Sequence, residues 1–174
     1  ADTIKVGTDA TKNVITIYYT RRVDLSYTVN YLEQGTEEVL ATAKTVDKQV
    51  LGAEVTETAI DINGYVKPET DTQKIVIAVE GNVINFYYTK KADLSYTVNY
   101  YEEGTVQKVA ESKVVDKQIF NATVKEEAID VPGYAVVDPA TQSIVIAVEG
   151  NVINFYYTRR VDLGYVVNYL EKDT

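Results

Sequence analysis

The sequence predicts a β-rich chain built from a tandem repeat, and three observations carry that reading. The string NVINFYYT stands at Asn82–Thr89 and again, letter for letter, at Asn151–Thr158, with a degraded copy, NVITIYYT, at Asn13–Thr20. DLSYTVNY, which begins at Asp24 and at Asp93, returns as DLGYVVNY at Asp162 with the same step of 69 residues. Tyr, Val, Ile and Thr dominate, side chains that suit a pleated, half-buried surface. A fixed period of this length marks a tandem array. It divides the chain into residues 1–23, the C-terminal hairpin of a preceding broken repeat; complete repeats at 24–92 and 93–161; and 162–174, the first strand of a following broken repeat. The chain therefore reads as an excerpt from a longer array.

The elements follow in order. Residues 1–20 are expected to form a hairpin, TIKVG against NVITIYYT, with Asp9–Asn13 as its turn. In SYTVNY, Tyr27, Val29 and Tyr31 share one face, while Thr28, Asn30 and Leu32 share the other. That alternation is the mark of a sheet wet on one side. Glu33-Gln34-Gly35-Thr36 supplies a turn, and Glu38–Lys48 reads as a second strand. In GAEVTETAIDINGY, Thr56 or Thr58 is placed to open one helical turn, with Ala59 and Ile60 packing beneath the sheet. The segment is too short and too β-branched for a long helix. Gly64-Tyr65 and Gly133-Tyr134 close it.

IVIAVEGNVINFYYT reads as a β-hairpin about Gly81-Asn82, pairing Val79 with Ile84, Ile77 with Phe86 and Ile75 with Tyr88, all toward the core. Its second copy sets Ile144, Ile146, Val148, Ile153, Phe155 and Tyr157 alike. Gly164–Leu170 is left as a lone strand, expected to extend from the final strand or to pair with a neighbouring molecule's open edge. The junctions TRRVD, TKKAD and TRRVD hold no Gly, Pro or Ser, so one unit is expected to run directly into the next as a stiff rod. Units this small are marginal on hydrophobic burial alone. Stacking of neighbouring repeats of the same chain is the expected supplement. A Lys–Asn isopeptide crosslink drawn from Lys44, Lys48 and Asn85 is the sharper alternative.

Composition narrows the function. The formal charge is −9, which argues against nucleic acid and against contact with an anionic membrane surface. The basic pairs Arg21-Arg22, Lys90-Lys91 and Arg159-Arg160 read as solvated junctions. There is no Cys and no His, hence no disulfide framework, no thiolate site and none of the commonest general base. No phosphate loop, dinucleotide fingerprint or nucleophile elbow occurs. The carboxylate pairs Glu102-Glu103 and Glu126-Glu127 are expected to be solvated rather than catalytic. Glu69 and Asp71 make the nearest approach to a calcium loop, but the second repeat offers only Asp138 there. We therefore expect no enzyme, no cofactor and no metal.

The motifs resemble the MucBP (mucin-binding protein) repeats of Gram-positive bacterial surface proteins. Three features carry the resemblance across both units: an opening strand ending in tyrosine (YTVNYLEQGT, YTVNYYEEGT), a central AIDINGY or AIDVPGY, and a closing FYYT. It implies a β-rich α+β fold of small ubiquitin-like β-grasp units. It also implies an extracellular, cell-wall-anchored parent protein whose repeats bind host mucin or other glycoproteins weakly and multivalently. A passive stalk that projects another domain from the wall is the alternative.

The tyrosines divide by parity. Tyr27, Tyr31, Tyr65 and Tyr88, with Tyr96, Tyr100, Tyr134 and Tyr157, are expected in or beside the core, and Tyr87 and Tyr156 on the open face. A β-grasp places first and last strands side by side. Asn30, Asn85 and Tyr87 would then cluster, as would Asn99, Tyr101, Asn154 and Tyr156. Amides that both donate and accept, beside an aromatic ring, suit sugar hydroxyls and C–H faces. These seven residues are the candidate glycan strip.

Overall fold

The computed structural model describes residues 5–9, 11 and 13–171. Among the described residues twelve strands run in two series: β1 (Leu25–Glu33), β2 (Val39–Gln49), β3 (Glu54–Thr58), β4 (Tyr65–Val66), β5 (Thr72–Val76) and β6 (Val83–Lys90), then β7 (Leu94–Glu102), β8 (Lys108–Gln118), β9 (Thr123–Glu127), β10 (Tyr134–Val136), β11 (Thr141–Val145) and β12 (Val152–Arg159). Each series makes a four-stranded sheet, β2-β1-β6-β4 or β8-β7-β12-β10, and a two-stranded one, β3-β5 or β9-β11. The fold is all-β, with no α-helix among the described residues. The helical turn expected near Thr56 is instead strand β3, whose exposure alternates with a period of two and whose Val55 pairs with Ile75 of β5. A β-branched stretch with a partner strand within reach gains ladder hydrogen bonds along its length, which outweighs a single helical turn.

The chain gathers into two compact units. One holds the chain up to Leu32, Val39–Ala59 and Glu69–Phe86; the other holds Glu33–Glu38, Ile60–Pro68 and everything from Tyr87 onward.

In the second unit β7 is the hub, antiparallel to β8 on one side and parallel to β12 on the other. Tyr96, Val98 and Tyr100 of β7 face Ile153, Phe155 and Tyr157 of β12, with Ile146 and Val131, in a core whose members are all less than 8% exposed. Tyr100 and Phe155 lie nearly parallel, their ring centroids 6.2 Å apart. In the first unit Tyr31 and Phe86 repeat that stack at 6.2 Å, and Tyr27, Val29, Ile77 and Ile84 are buried. Tyr88 and Tyr157 are buried as parity predicts, and each hydroxyl donates to a backbone carbonyl, Ile60 O or Ile129 O, at 2.9 Å. Tyr65 and Tyr134 stand at the edge, half-buried.

The expected hairpin between β5 and β6 does not form. β5 pairs with β3, and β6 lies between β1 and β4. A strand has two edges, and β6 has neighbours on both. Its carbonyl at Asn85, beyond the short β4, accepts from the Gln73 side-chain amide at 2.9 Å. The chain between β5 and β6 is closed by Asn82, whose amide takes the N–H of Ala78 at 2.8 Å and donates to the carbonyls of Ala78 at 2.9 Å and Ser26 at 3.0 Å. Gly81 supplies the positive φ (74°) that this turn needs. Ile77, Ile84, Phe86 and Tyr88 keep the predicted core face, whereas Val79 is 57% exposed.

The flanking segments also depart from expectation. No strand occurs in the described residues before Leu25. Gly7 N–H donates to Asn13 Oδ1, and Asn13 Nδ2 donates to Gly7 O, both at 2.9 Å, while Ala10 and Lys12 of the expected turn lie outside the described residues. Thr3 and Ile4 of the expected partner strand lie outside the described residues. An isolated hairpin is marginal without a surface to bury against, and Val14, Ile15 and Ile17 are exposed here. Gly164–Leu170 does not extend β12, which ends at Arg159, and forms no strand.

The two local pairings make different demands on Ile77 and Val79. Ile77→Ala should cost about 2–5 kcal/mol, the range for emptying a buried aliphatic site. Val79→Thr, a core lesion in the hairpin alternative, should stay within about 0.5 kcal/mol as an exposed substitution. Urea denaturation of both variants checks the difference.

Candidate functional site

The open face of each four-stranded sheet carries the residues selected by parity. On β7 and β12, Asn99 lies opposite Asn154 and Tyr101 opposite Tyr156. Asn99 Nδ2 donates to Asn154 Oδ1 at 3.0 Å, and the Tyr101 and Tyr156 ring centroids are 6.3 Å apart at 33°. Tyr156 is 41% exposed, and the other three are half-buried. All four are therefore together. In the first unit Asn30 Nδ2 donates to Asn85 Oδ1 at 2.8 Å; Tyr87 in the other unit is 37% exposed.

Two residues that sequence reasoning missed extend the second strip. Ser112 Oγ donates to Asn99 Oδ1 at 2.7 Å, and Lys108 Nζ donates to Ser112 Oγ at 2.7 Å. The result is a polar row across three adjacent strands, Lys108–Ser112–Asn99–Asn154, beside the Tyr101–Tyr156 pair. The amino group and the asparagine Nδ2 groups retain further N–H donors, and the two rings offer faces to apolar C–H groups. The parity of β8 was the available signal, because Lys108 and Ser112 fall an even number of residues apart. One period earlier stand Val39, Ala43 and Leu32 in place of Lys108, Ser112 and Tyr101. The two open faces thus differ although the strings NVINFYYT within them are identical.

A second set of polar residues lies at the edges of the cores. Glu57 accepts from Tyr27 Oη at 2.5 Å and from Lys44 Nζ at 2.7 Å; Glu126 accepts from Tyr96 Oη at 2.5 Å and from Lys113 Nζ at 2.6 Å. Glu126 is therefore not the solvated carboxylate expected. Each carboxylate is largely covered, and burial alone would raise its pKa. The hydrogen bonds from lysine and tyrosine reverse that, and both sit below the usual carboxylate value. Tyr27 is pushed up to about 12, first by its hydrogen bond to Glu57 and then by burial; Tyr96 reaches about 12 with burial leading.

The second unit adds Glu33, 8% exposed, which accepts from Tyr65 Oη at 2.9 Å and faces Lys90 Nζ at 3.3 Å. Burial first, then that hydrogen bond, raise Tyr65 to about 12. Glu102 receives Arg159 Nε at 2.8 Å, and Arg160 pairs with Asp162 at 2.8 Å. At the basic junctions Arg22, Arg159 and Arg160 make surface ion pairs while their side chains stay 50%, 66% and 45% exposed. Lys44 and Asn85, the suggested crosslink members, have their side chains on Glu57 and Asn30 respectively.

No protein-family model matches the sequence, and no curated protein sequence matches it. Among solved structures, the type 2 repeat of the mucus binding protein MUB from Lactobacillus reuteri is similar at 14% identity and TM-score 0.28, over 78% of this chain and 99% of that one. The crystal structure of Mub-RV is similar at 12% identity and TM-score 0.28, over 78% of this chain and 98% of that one.

The Tyr–Glu–Lys clusters predict how stability varies with pH. Glu57 and Glu126 have lowered folded pKa values, so their contribution is present above the unfolded carboxylate value of 4.5 and is lost as pH falls through the folded values. Tyr27, Tyr65 and Tyr96 have raised folded values, so stability is retained below pH 10 and lost between 10 and about 12. Melting temperatures across both windows should show the two falls, and tyrosinate absorbance should show a late-ionising class. Glu57→Gln with Glu126→Gln should flatten the acid limb; an unaltered limb would refute the assignment.

Proposed function

We propose that the chain is a repeat module of a bacterial cell-surface adhesin, with the open face of its second repeat as a shallow strip for mucin-type or other host glycans. The observation that carries the proposal is the row Lys108–Ser112–Asn99–Asn154 beside the paired rings of Tyr101 and Tyr156. Hydroxyl-rich ligands are held by groups that donate and accept along one line, and by rings that cover their C–H faces. The order and spacing of YTVNYYEEGT, AIDVPGY and FYYT support the adhesin context, and with it a ubiquitin-like β-grasp unit and an extracellular, wall-anchored parent. The modules in this reading are 24–92 and 93–161, and the Gly-, Pro- and Ser-free junctions support a rod-like array. A shallow strip binds weakly, so useful affinity comes from many repeats acting together.

The passive spacer is the second reading, and the first repeat favours it. There the amides of Asn30 and Asn85 bond one another, with Val39 and Ala43 at the positions of the lysine and serine. A face of that composition offers few unengaged polar groups.

Binding of the chain to purified mucin and to a glycan array separates the readings. Under the adhesin reading the wild type binds saturably, and Tyr156→Ala weakens binding about tenfold or more, the effect of losing about 1.4 kcal/mol. Tyr87→Ala changes it little. Absence of saturable binding by the folded wild type would leave the spacer.

A further inference from the structure

Tyr101 and Tyr156 stand directly opposite one another on the parallel strands β7 and β12. Paired residues on both sides, Tyr100 with Phe155 and Glu102 with Tyr157, hold that register. The two ring centroids are 6.3 Å apart and the planes 33° from parallel. Tyr156 is 41% exposed, and neither hydroxyl has a hydrogen-bond partner among the described residues. Other tyrosines of the fold commit theirs. Tyr27, Tyr65 and Tyr96 donate to carboxylates, and Tyr88 and Tyr157 to backbone carbonyls.

A neighbouring tyrosine pair lacks these properties. Tyr100 and Tyr157 are 6.4 Å apart, but their planes cross at 61° and both rings are 2% exposed or less. In the first copy Leu32 stands in place of Tyr101, so Tyr87 has no second phenol at the matching position. An open, side-by-side phenol pair is therefore a feature of the second copy's exposed face.

We propose that Tyr101 and Tyr156 are an oxidative crosslinking site, converted to a dityrosine by hydrogen peroxide and a one-electron-oxidising haem peroxidase. Each phenol gives up one electron and its O–H proton, leaving a radical shared between the oxygen and the ortho carbons. The two radicals couple through a carbon–carbon bond between ortho carbons, and each ortho hydrogen then moves to its phenol oxygen. The pair loses two hydrogen atoms, and one peroxide molecule takes them up as two waters. Holding the partners side by side in a fixed sheet makes the coupling step unimolecular. The new bond ties β7 to β12 in a chain that has no cysteine. Like a disulfide, it closes a long loop and restricts the unfolded chain. None of this depends on glycan binding by the same face.

Peptide mapping of the folded chain, treated in dilute solution with hydrogen peroxide and a haem peroxidase, tests the site. The monomer should gain the blue fluorescence of dityrosine at a rate independent of protein concentration. Its map should join the Tyr101 and Tyr156 peptides with the loss of two hydrogens. Tyr18, Tyr19, Tyr165 and Tyr169 are each 88% exposed or more and should couple between molecules, in dimers that dilution suppresses. Tyr101→Phe and Tyr156→Phe keep a ring but have no O–H to give up. Each should reduce the monomer's crosslink at least tenfold with unchanged circular dichroism, whereas Tyr87→Phe should leave it intact. The crosslinked monomer should melt at a higher temperature than the untreated chain. A monomer without the Tyr101–Tyr156 crosslink, one joined at Tyr100–Tyr157 instead, or a crosslinked monomer with no gain in melting temperature would each overturn the proposal.

Discussion

The architecture depends on the last strand of each series being placed beside the first. β12 runs parallel to β7, and β10 occupies part of its other edge. That placement fixes three things at once. It buries Ile153, Phe155 and Tyr157 at 1% exposure or less and turns Asn154 and Tyr156 to the open face. It also denies β11 an edge of β12, so β11 pairs with β9. A parallel neighbour needs a long connection, and the intervening elements supply it. The two-stranded sheet is therefore a consequence of the central pairing.

How much of this was legible in the sequence follows from the range of each interaction. Alternation is local, so the core and open-face residues of SYTVNY and NVINFYYT could be assigned from spacing alone. Partner choice is not local. Ile75, Ile77 and Val79 alternate in a way that fits a hairpin with β6 as well as it fits pairing with β3, and periodicity does not separate the two. The deciding residues carry no periodic signal. Asn82 closes the chain between β5 and β6 through its side chain, and Gln73 reaches Asn85 O across the uncovered edge. The site divides the same way: Asn99, Tyr101, Asn154 and Tyr156 follow from parity and strand adjacency. Lys108 and Ser112 required the β7–β8 register, which contains bulges that sequence does not reveal.

The covered carboxylates show another limit of local reading. Glu57 takes its partners from residues 30 positions earlier and 13 positions earlier, and Glu126 repeats both separations. The adjacent Glu126 and Glu127 look like a solvated face, yet alternation sends Glu126 inward. An unpaired carboxylate there would be costly, so a lysine amino group and a tyrosine hydroxyl accompany it. These clusters also explain why tyrosine serves where phenylalanine would pack as well: Tyr27 and Tyr96 bury their rings in the core and bring a donor to its rim.

The two copies show which positions packing constrains. Tyr27, Val29, Tyr31, Ile77, Ile84, Phe86 and Tyr88 reappear unchanged as Tyr96, Val98, Tyr100, Ile146, Ile153, Phe155 and Tyr157. Every member of both sets is 6% exposed or less. Close-packed interiors tolerate volume changes poorly, so a duplicated core that keeps one backbone geometry has little room to vary. The open face has no such restraint, and there Leu32, Val39 and Ala43 stand against Tyr101, Lys108 and Ser112. Each of these exchanges adds a polar group to the same face of the second copy, and two of the three join one hydrogen-bonded row. Free drift on a wet surface carries no reason for the new groups to meet one another. Their convergence beside a pair of rings is the physical ground for treating the second face, and not the first, as the place where a ligand would be read.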